Sequence, residues 1–259
     1  MADSPKIRSS ADTVPASVNP ASGKPRRWKM ALDVERCIGC HACSVACKVE
    51  NNVPLGGFRT KVYYLDQGKF PKVTRSFLPT LCMQCEDAPC LKSCPTSAIS
   101  RGADGIVRID ADTCTSQGKC ETACPYGAIL CDPSDVADKC DFCSHRLAAD
   151  MEPACVETCP AGVFHFGDAN DPKSPYSQFM NKHGAETKVL KPEENTKPSV
   201  SYRGHNKAME SKIPKGKAHD PYSYEIETWT SLESTFPKRD RVQWAHPGHP
   251  GTDGNGEKS

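Results

Sequence analysis

Cysteine is the residue type in this chain best suited to do chemistry, and its spacing narrows the choice. The 259 residues include 16 cysteines, and fifteen of them fall into four bunches. CIGCHACSVAC gives Cys37, Cys40, Cys43 and Cys47, the pattern C-x2-C-x2-C-x3-C. CMQCEDAPCLKSC gives Cys82, Cys85, Cys90 and Cys94. CTSQGKCETAC gives Cys114, Cys120 and Cys124, with Gln117 where a further thiolate is due. CDFCSHRLAADMEPACVETC gives Cys140, Cys143, Cys155 and Cys159, and Cys131 stands apart.

A cubane cluster needs four thiolates in tetrahedral array. Cysteines at i, i+3 and i+6 wrap three corners. The thiolate four residues later points away along a helix toward a second cluster, and a proline follows it in two-cluster ferredoxins. Thiolates alone select iron–sulfur or zinc, and the N–H groups of such loops form a concavity suited to an anion. A single zinc uses two C-x2-4-C knuckles with a longer spacer. Four motifs in series, three ending in Cys-Pro, favour iron–sulfur. A disulfide framework is disfavoured, because the cysteines are bunched and no secretory signal precedes them.

Gln117 offers a neutral amide, which cannot replace the anionic thiolate of a labile fourth iron. Three irons on three cysteines still form a closed cluster, and the changed net charge raises the expected potential. Two alternatives stay open: Gln117 ligating a fourth iron through its oxygen, or Cys131 swinging in. Cys131 follows the helix-ending Pro125 and reads as a buried or semi-buried thiol outside the clusters. His41 reads as a partly exposed loop histidine, with cluster tuning as the alternative. His246 and His249 read as solvated. No Walker motif, dinucleotide fingerprint or catalytic triad is present.

The elements that must hold these loops are short. Cys94-Pro95, Cys124-Pro125 and Cys159-Pro160 each end a short helix. KMALDV (29–34), GIVRID (105–110) and GVFHFG (162–167) read as strands, and residues 58–77 as an inserted hairpin. Hydrophobic residues make up 37% and aromatic residues 7%, a thin core supply that leaves the clusters to organise the fold. The net charge of +1 gives no reason to expect nucleic acid or an acidic membrane surface. No apolar run reaches the roughly 18–20 residues of a membrane span. Arg26-Arg27 lacks a following hydrophobic region and reads as surface charge. Residues 1–28 read as an arm, 29–167 as the cluster domain, and 168–259 as an extended tail whose aromatics dock on partners.

The stretches CIGCHACSVACKVENNVPLG, LCMQCEDAPCLKSCPTSAI, CETACPYGAI and DKCDFCSHRLAADMEPACVETCPAG, in this order, resemble the four-cluster electron-transfer subunits of the complex iron–sulfur molybdoenzymes. These include subunits of dimethyl sulfoxide, polysulfide and nitrate reductases and of the related periplasmic quinone reductase complex. The resemblance spans about residues 28–172. It implies an α+β fold of two ferredoxin-like bi-cluster units about a pseudo-two-fold, motifs one and four forming one unit, two and three the other. An inserted β-hairpin and extended terminal arms complete it. It implies three [4Fe–4S] clusters, on Cys37, Cys40, Cys43 and Cys159; on Cys140, Cys143, Cys155 and Cys47; and on Cys82, Cys85, Cys90 and Cys124. A [3Fe–4S] cluster then takes Cys114, Cys120 and Cys94, with Gln117 at the vacant corner, nearest the membrane subunit. The implied role is non-catalytic. The implied partners are a large molybdopterin-type catalytic subunit and an integral membrane quinone-interacting subunit, with a cytochrome c subunit as a further one. The motif wording favours the periplasmic face of a peripheral membrane complex, reached with a signal-bearing partner; the cytoplasmic face is the alternative. A soluble polyferredoxin shuttle is the competing reading.

Overall fold

In the computed structural model the described residues are 18–19, 23–54, 57–131 and 136–213. Trp28–Asp33 (β1) is followed by the first cysteine loop and Ala42–Glu50 (α1). The hairpin is Lys61–Lys69 (β2) and Lys72–Thr80 (β3). Then come Pro89–Ser93 (α2), a small antiparallel pair of Ile99–Arg101 (β4) and Val107–Ile109 (β5), and Lys119–Ala123 (α3). A second small pair joins Ile129–Leu130 (β6) to Asp138–Lys139 (β7), before Ser144–Leu147 (α4) and Ala154–Glu157 (α5). Phe164–Asp168 (β8), Pro175–His183 (α6), Thr187–Lys188 (β9), Val200–Arg203 (β10) and Lys207–Glu210 (α7) complete it.

The central sheet has the order β8-β1-β10-β9. β1 pairs antiparallel with β8 (Met30 opposite Phe166) and parallel with β10 (Leu32 opposite Tyr202). As an interior strand it is covered on both faces, which is why Met30, Ala31 and Leu32 form an unbroken apolar run and are fully buried. The cluster helices pair off, α1 against α5 and α2 against α3. Cys94 and Cys124, each the residue before a proline, are extended (ψ 115° and 114°), as the proline ring requires of its predecessor. Among the described residues no helix is long and apolar enough to cross a membrane.

Two expected boundaries move. The hairpin spans 61–80 rather than 58–77, because Arg59 is tied to Asp138 and Asn51 before β2 begins and the pairing runs on to Lys61 opposite Thr80. The tail expected from residue 168 is part of the fold as far as Ile213. Leu190, Val200 and Tyr202 are fully buried, and the segment hydrogen-bonds along the second motif: Glu86 N–H to Lys197 O (2.9 Å), Asp87 N–H to Thr196 O (3.0 Å), Ser199 N–H to Met83 O (2.9 Å). Its aromatics, Phe179 and Tyr202, anchor it to its own domain. Tyr222, Tyr224, Trp229, Phe236, Trp244, His246 and His249 lie outside the described residues, as does most of the 1–28 arm. The twin arginine sits at the surface as expected: Arg26 stacks over Trp28 (5.3 Å) and Arg27 pairs with Glu86 (3.4 Å).

Candidate iron–sulfur centres

One backbone feature repeats in all four motifs. The second residue after the leading cysteine is left-handed: Gly39 (φ 68°), Gln84 (48°), Ser116 (50°) and Phe142 (57°). That region is disfavoured for all but glycine, so the loops impose it, and a left-handed turn there helps aim successive N–H groups into the loop's concavity. At Gly39 a side chain is also excluded by packing, since a Cβ would lie 2.3 Å from the Phe77 ring. The Gln117 loop keeps the turn although the thiolate is gone.

The thiols gather across motifs. One cavity is lined by Cys47, Cys140, Cys143 and Cys155, with Asn51 and Arg59. A second is lined by Cys82, Cys85, Cys90 and Cys124, with Val107 and Tyr126. A third is lined by Cys94, Cys114, Cys120 and Gln117. Cys37, Cys40, Cys43 and Cys159 form a fourth group. The Cys37 thiol is pushed up by burial, pulled back by the Gly39 N–H, and pushed up again by the charges of Cys159 and Cys40. Val163 N–H donates to Cys159 Sγ (3.4 Å), and Cys40 is exposed.

Burial dominates the acidities. It pushes Cys43, Cys85 and Cys90 up to about 12 and Cys47 and Cys120 to about 11. Cys94 differs. Burial works against its thiolate, but the Thr96 hydroxyl and the N–H groups of Thr96, Ala98 and Ile99 lower it below the ordinary thiol range. Smaller repulsions run between groups: Cys43 acts on Cys155, Cys82 on Cys140, and Cys120 on Cys90. Each group thus has at least one other group within electrostatic reach.

Cys131 does not line the Gln117 cavity. Its half-buried thiol donates to Ser116 O (3.7 Å) in the Gln117 loop and lies close enough to Cys120 to raise it by charge repulsion. Gln117 is exposed and donates to Thr115 Oγ1 (3.2 Å). His41 is left-handed and half-buried, 5.3 Å from the Tyr64 ring. A polar set around the Cys47, Cys140, Cys143 and Cys155 group has no counterpart in the sequence reading. Asn51 Nδ2 lies 3.7 and 3.8 Å from the Sγ atoms of Cys47 and Cys143, one from each motif. Arg59 holds Asn51 Oδ1 (2.8 Å) while its fork grips Asp138 (2.8 and 2.5 Å). Asn51 and Asp138 lie within the stretches that carry the resemblance, but no spacing rule singles them out, and Arg59 lies outside those stretches.

The donor set fits iron–sulfur clusters. The candidate ligands are thiols, amide N–H groups and Asn51 point at their sulfurs, and among the described residues no three His, Cys, Asp or Glu side chains converge on a single-ion site. Comparison with known proteins agrees. Residues 73–169 match the 4Fe-4S dicluster domain family and residues 28–49 a 4Fe-4S binding domain. The B component of the tetrathionate reductase of Salmonella typhimurium is 42% identical over 199 residues, 75% of this chain and 80% of the relative. The B component of the polysulfide reductase of Wolinella succinogenes is 42% identical over 181 residues, 68% of this chain and 93% of the relative. The arsenate respiratory reductase iron–sulfur subunit of Shewanella sp. is 33% identical over 225 residues, covering 68% and 95%. With its cysteine loops and these relatives in view, the chain belongs to the ferredoxin-type iron–sulfur subunits of reductase complexes, the family that transfers electrons for catalysis carried out in other subunits.

Proposed function

We propose that this subunit relays electrons through three [4Fe–4S] centres and one [3Fe–4S] centre, between a molybdopterin-type catalytic subunit and a quinone-reactive membrane subunit. The observation that carries the reading is the crossed gathering of cysteines, each group drawing on two motifs. Cys37, Cys40, Cys43 and Cys159 hold the first centre; Cys47, Cys140, Cys143 and Cys155 the second; Cys82, Cys85, Cys90 and Cys124 the third; Cys94, Cys114 and Cys120 the fourth. The pairing of α1 with α5 and of α2 with α3 supports two bi-cluster units. When bound, the clusters supply one-electron redox chemistry. The chain's own residues hold the sulfurs, exclude water and set the surrounding charge.

The proposed relay has two ends. At the first, Cys40 is exposed beside Ile38, Val45 and Val49, which are 62%, 59% and 74% exposed, an apolar surface suited to one partner subunit. At the other, Gln117 is exposed at the three-iron centre, which we assign to the quinone side. The relatives' names place them in tetrathionate, polysulfide and arsenate reductases, and a complex of that kind on the periplasmic face is the setting we propose. The test is iron quantification and EPR on the oxidised complex purified from membranes. One three-iron signal, with further signals on reduction, is expected. Stoichiometric zinc in protein prepared without air, or no three-iron signal, overturns the assignment.

A further inference from the structure

Lys139 is an ammonium buried to 3% exposure, one residue before Cys140. Burying an unpaired charge costs several kcal/mol, and a carboxylate is the usual remedy. Here, among the described residues, no Asp or Glu oxygen pairs with Nζ. The neighbouring Asp141 is engaged by Arg59 (3.4 Å) and by the Ser144 hydroxyl (2.7 Å). Nζ donates instead to two backbone carbonyls, Val107 O and Cys140 O (3.1 Å).

Those carbonyls belong to a closed ring. Gln84, itself 1% exposed, donates from Nε2 to Cys140 O (2.7 Å), and its Oε1 accepts from Val107 N–H (2.7 Å). Gln84 stands between Cys82 and Cys85, and Val107 lines the cavity they share. Cys140 lines the cavity of the second centre. The ring therefore spans the wall between the second and third thiol groups, with a positive charge inside it that no direct ion pair neutralises and that Asp141 feels at longer range. That charge is felt by Cys90 and Cys124, both of the third group, whose thiolates it favours; its link to the second is the bond to Cys140 O.

We propose that the Lys139 ammonium, fixed by Gln84, Val107 and Cys140, is the shared counter-charge of the second and third centres and holds both at higher potential. This rests on the cluster assignment proposed above. Reduction adds one negative charge to a centre, and a fixed cation in a poorly screened interior favours the reduced form. Lys139 is a positioning and tuning residue, not a ligand.

The test is an EPR-monitored redox titration of the intact complex with Lys139→Met, Lys139→Gln and Lys139→Arg, alongside iron content. In the neutral variants two of the four-iron centres should shift to lower potential, with the three-iron centre and the remaining four-iron centre unmoved. Lys139→Arg should stay near wild type. Full iron with no shift in the neutral variants, or an equal shift of every centre, overturns the proposal. If both neutral variants lose iron while Lys139→Arg keeps it, the requirement is for charge and the proposal stands. If Lys139→Arg loses iron as well, the requirement is for shape and the proposal falls. Wild-type complex without four-iron signals would instead overturn the cluster assignment itself.

Discussion

Gln117 keeps its loop in the conformation of the three intact motifs while turning its amide toward Thr115. The backbone turn is thus present without a thiolate at 117, so placing one there needs no rebuilding. Gln117→Cys should diminish or abolish the three-iron EPR signal of the oxidised complex; an undiminished signal would show that residue 117 does not face the vacant corner. Asn51 is the matching residue at the second centre, its amide shared by thiols of motifs one and four. An N–H donor to sulfur stabilises added negative charge, so Asn51→Leu should lower the potential of one four-iron centre with iron content retained. Away from the clusters, Arg108 is held by Asp104 through two bonds (3.0 and 2.6 Å), both side chains nearly inaccessible. Asp104→Ala strands a buried guanidinium and should cost about 3–5 kcal/mol in chemical unfolding; a loss under about 1 kcal/mol would show that the cation finds water.

At the scale of elements, the legible parts are those that repeat. The strands at Trp28–Asp33, Val107–Ile109 and Phe164–Asp168 follow from short β-type runs beside the loops, and the Cys-Pro helix ends from proline's own geometry. The thiol groups are legible only with the resemblance added, because spacing alone does not say which motif meets which. The segment 168–213 reads as a tail because its few apolar residues are scattered. Its burial comes from joining a sheet already made apolar by β1 and from hydrogen bonds to the second motif, neither of which has a local signature. Tyr202 shows the scale of that contribution: it is fully buried beside Met83 and β1. Tyr202→Ala should cost about 3–5 kcal/mol, measured as a loss of thermal stability, where a solvated tail would give no change. The hairpin is more exposed and more forgiving, except at Gly68 (φ 97°), where a Cβ would meet Lys72 O at 2.1 Å. Gly68→Ala should disturb the tip while leaving the cluster spectra unchanged.

For the whole molecule, sulfur takes the place that leucine and isoleucine fill elsewhere: ten of the buried core residues are cysteines of the four motifs. Thiols pushed up to about 11 or 12 must each surrender a proton on binding iron, so loading releases protons and is favoured by base. Reconstitution from ferrous iron and sulfide should therefore go further at about pH 8.5 than at about pH 6.5, followed by visible absorbance. Equal yields would mean the thiols are already ionised. The same charge logic makes the empty fold a poor host for base: unfolded thiols ionise near 9 and these five, folded, only above that, so their contribution to stability falls as pH rises through the interval. On the grouping proposed above, synthesis also follows a timetable. A chain that emerges at about 5–20 residues per second completes Cys94, Cys114 and Cys120 first, then the set ending at Cys124. The sets needing Cys155 and Cys159 follow, and β1 gains its last neighbour only when Val200–Arg203 (β10) is made. The thiols of Cys37, Cys40 and Cys43, first off the ribosome, are the last to be enclosed. A nascent chain that stalls early therefore carries its oldest sulfurs bare.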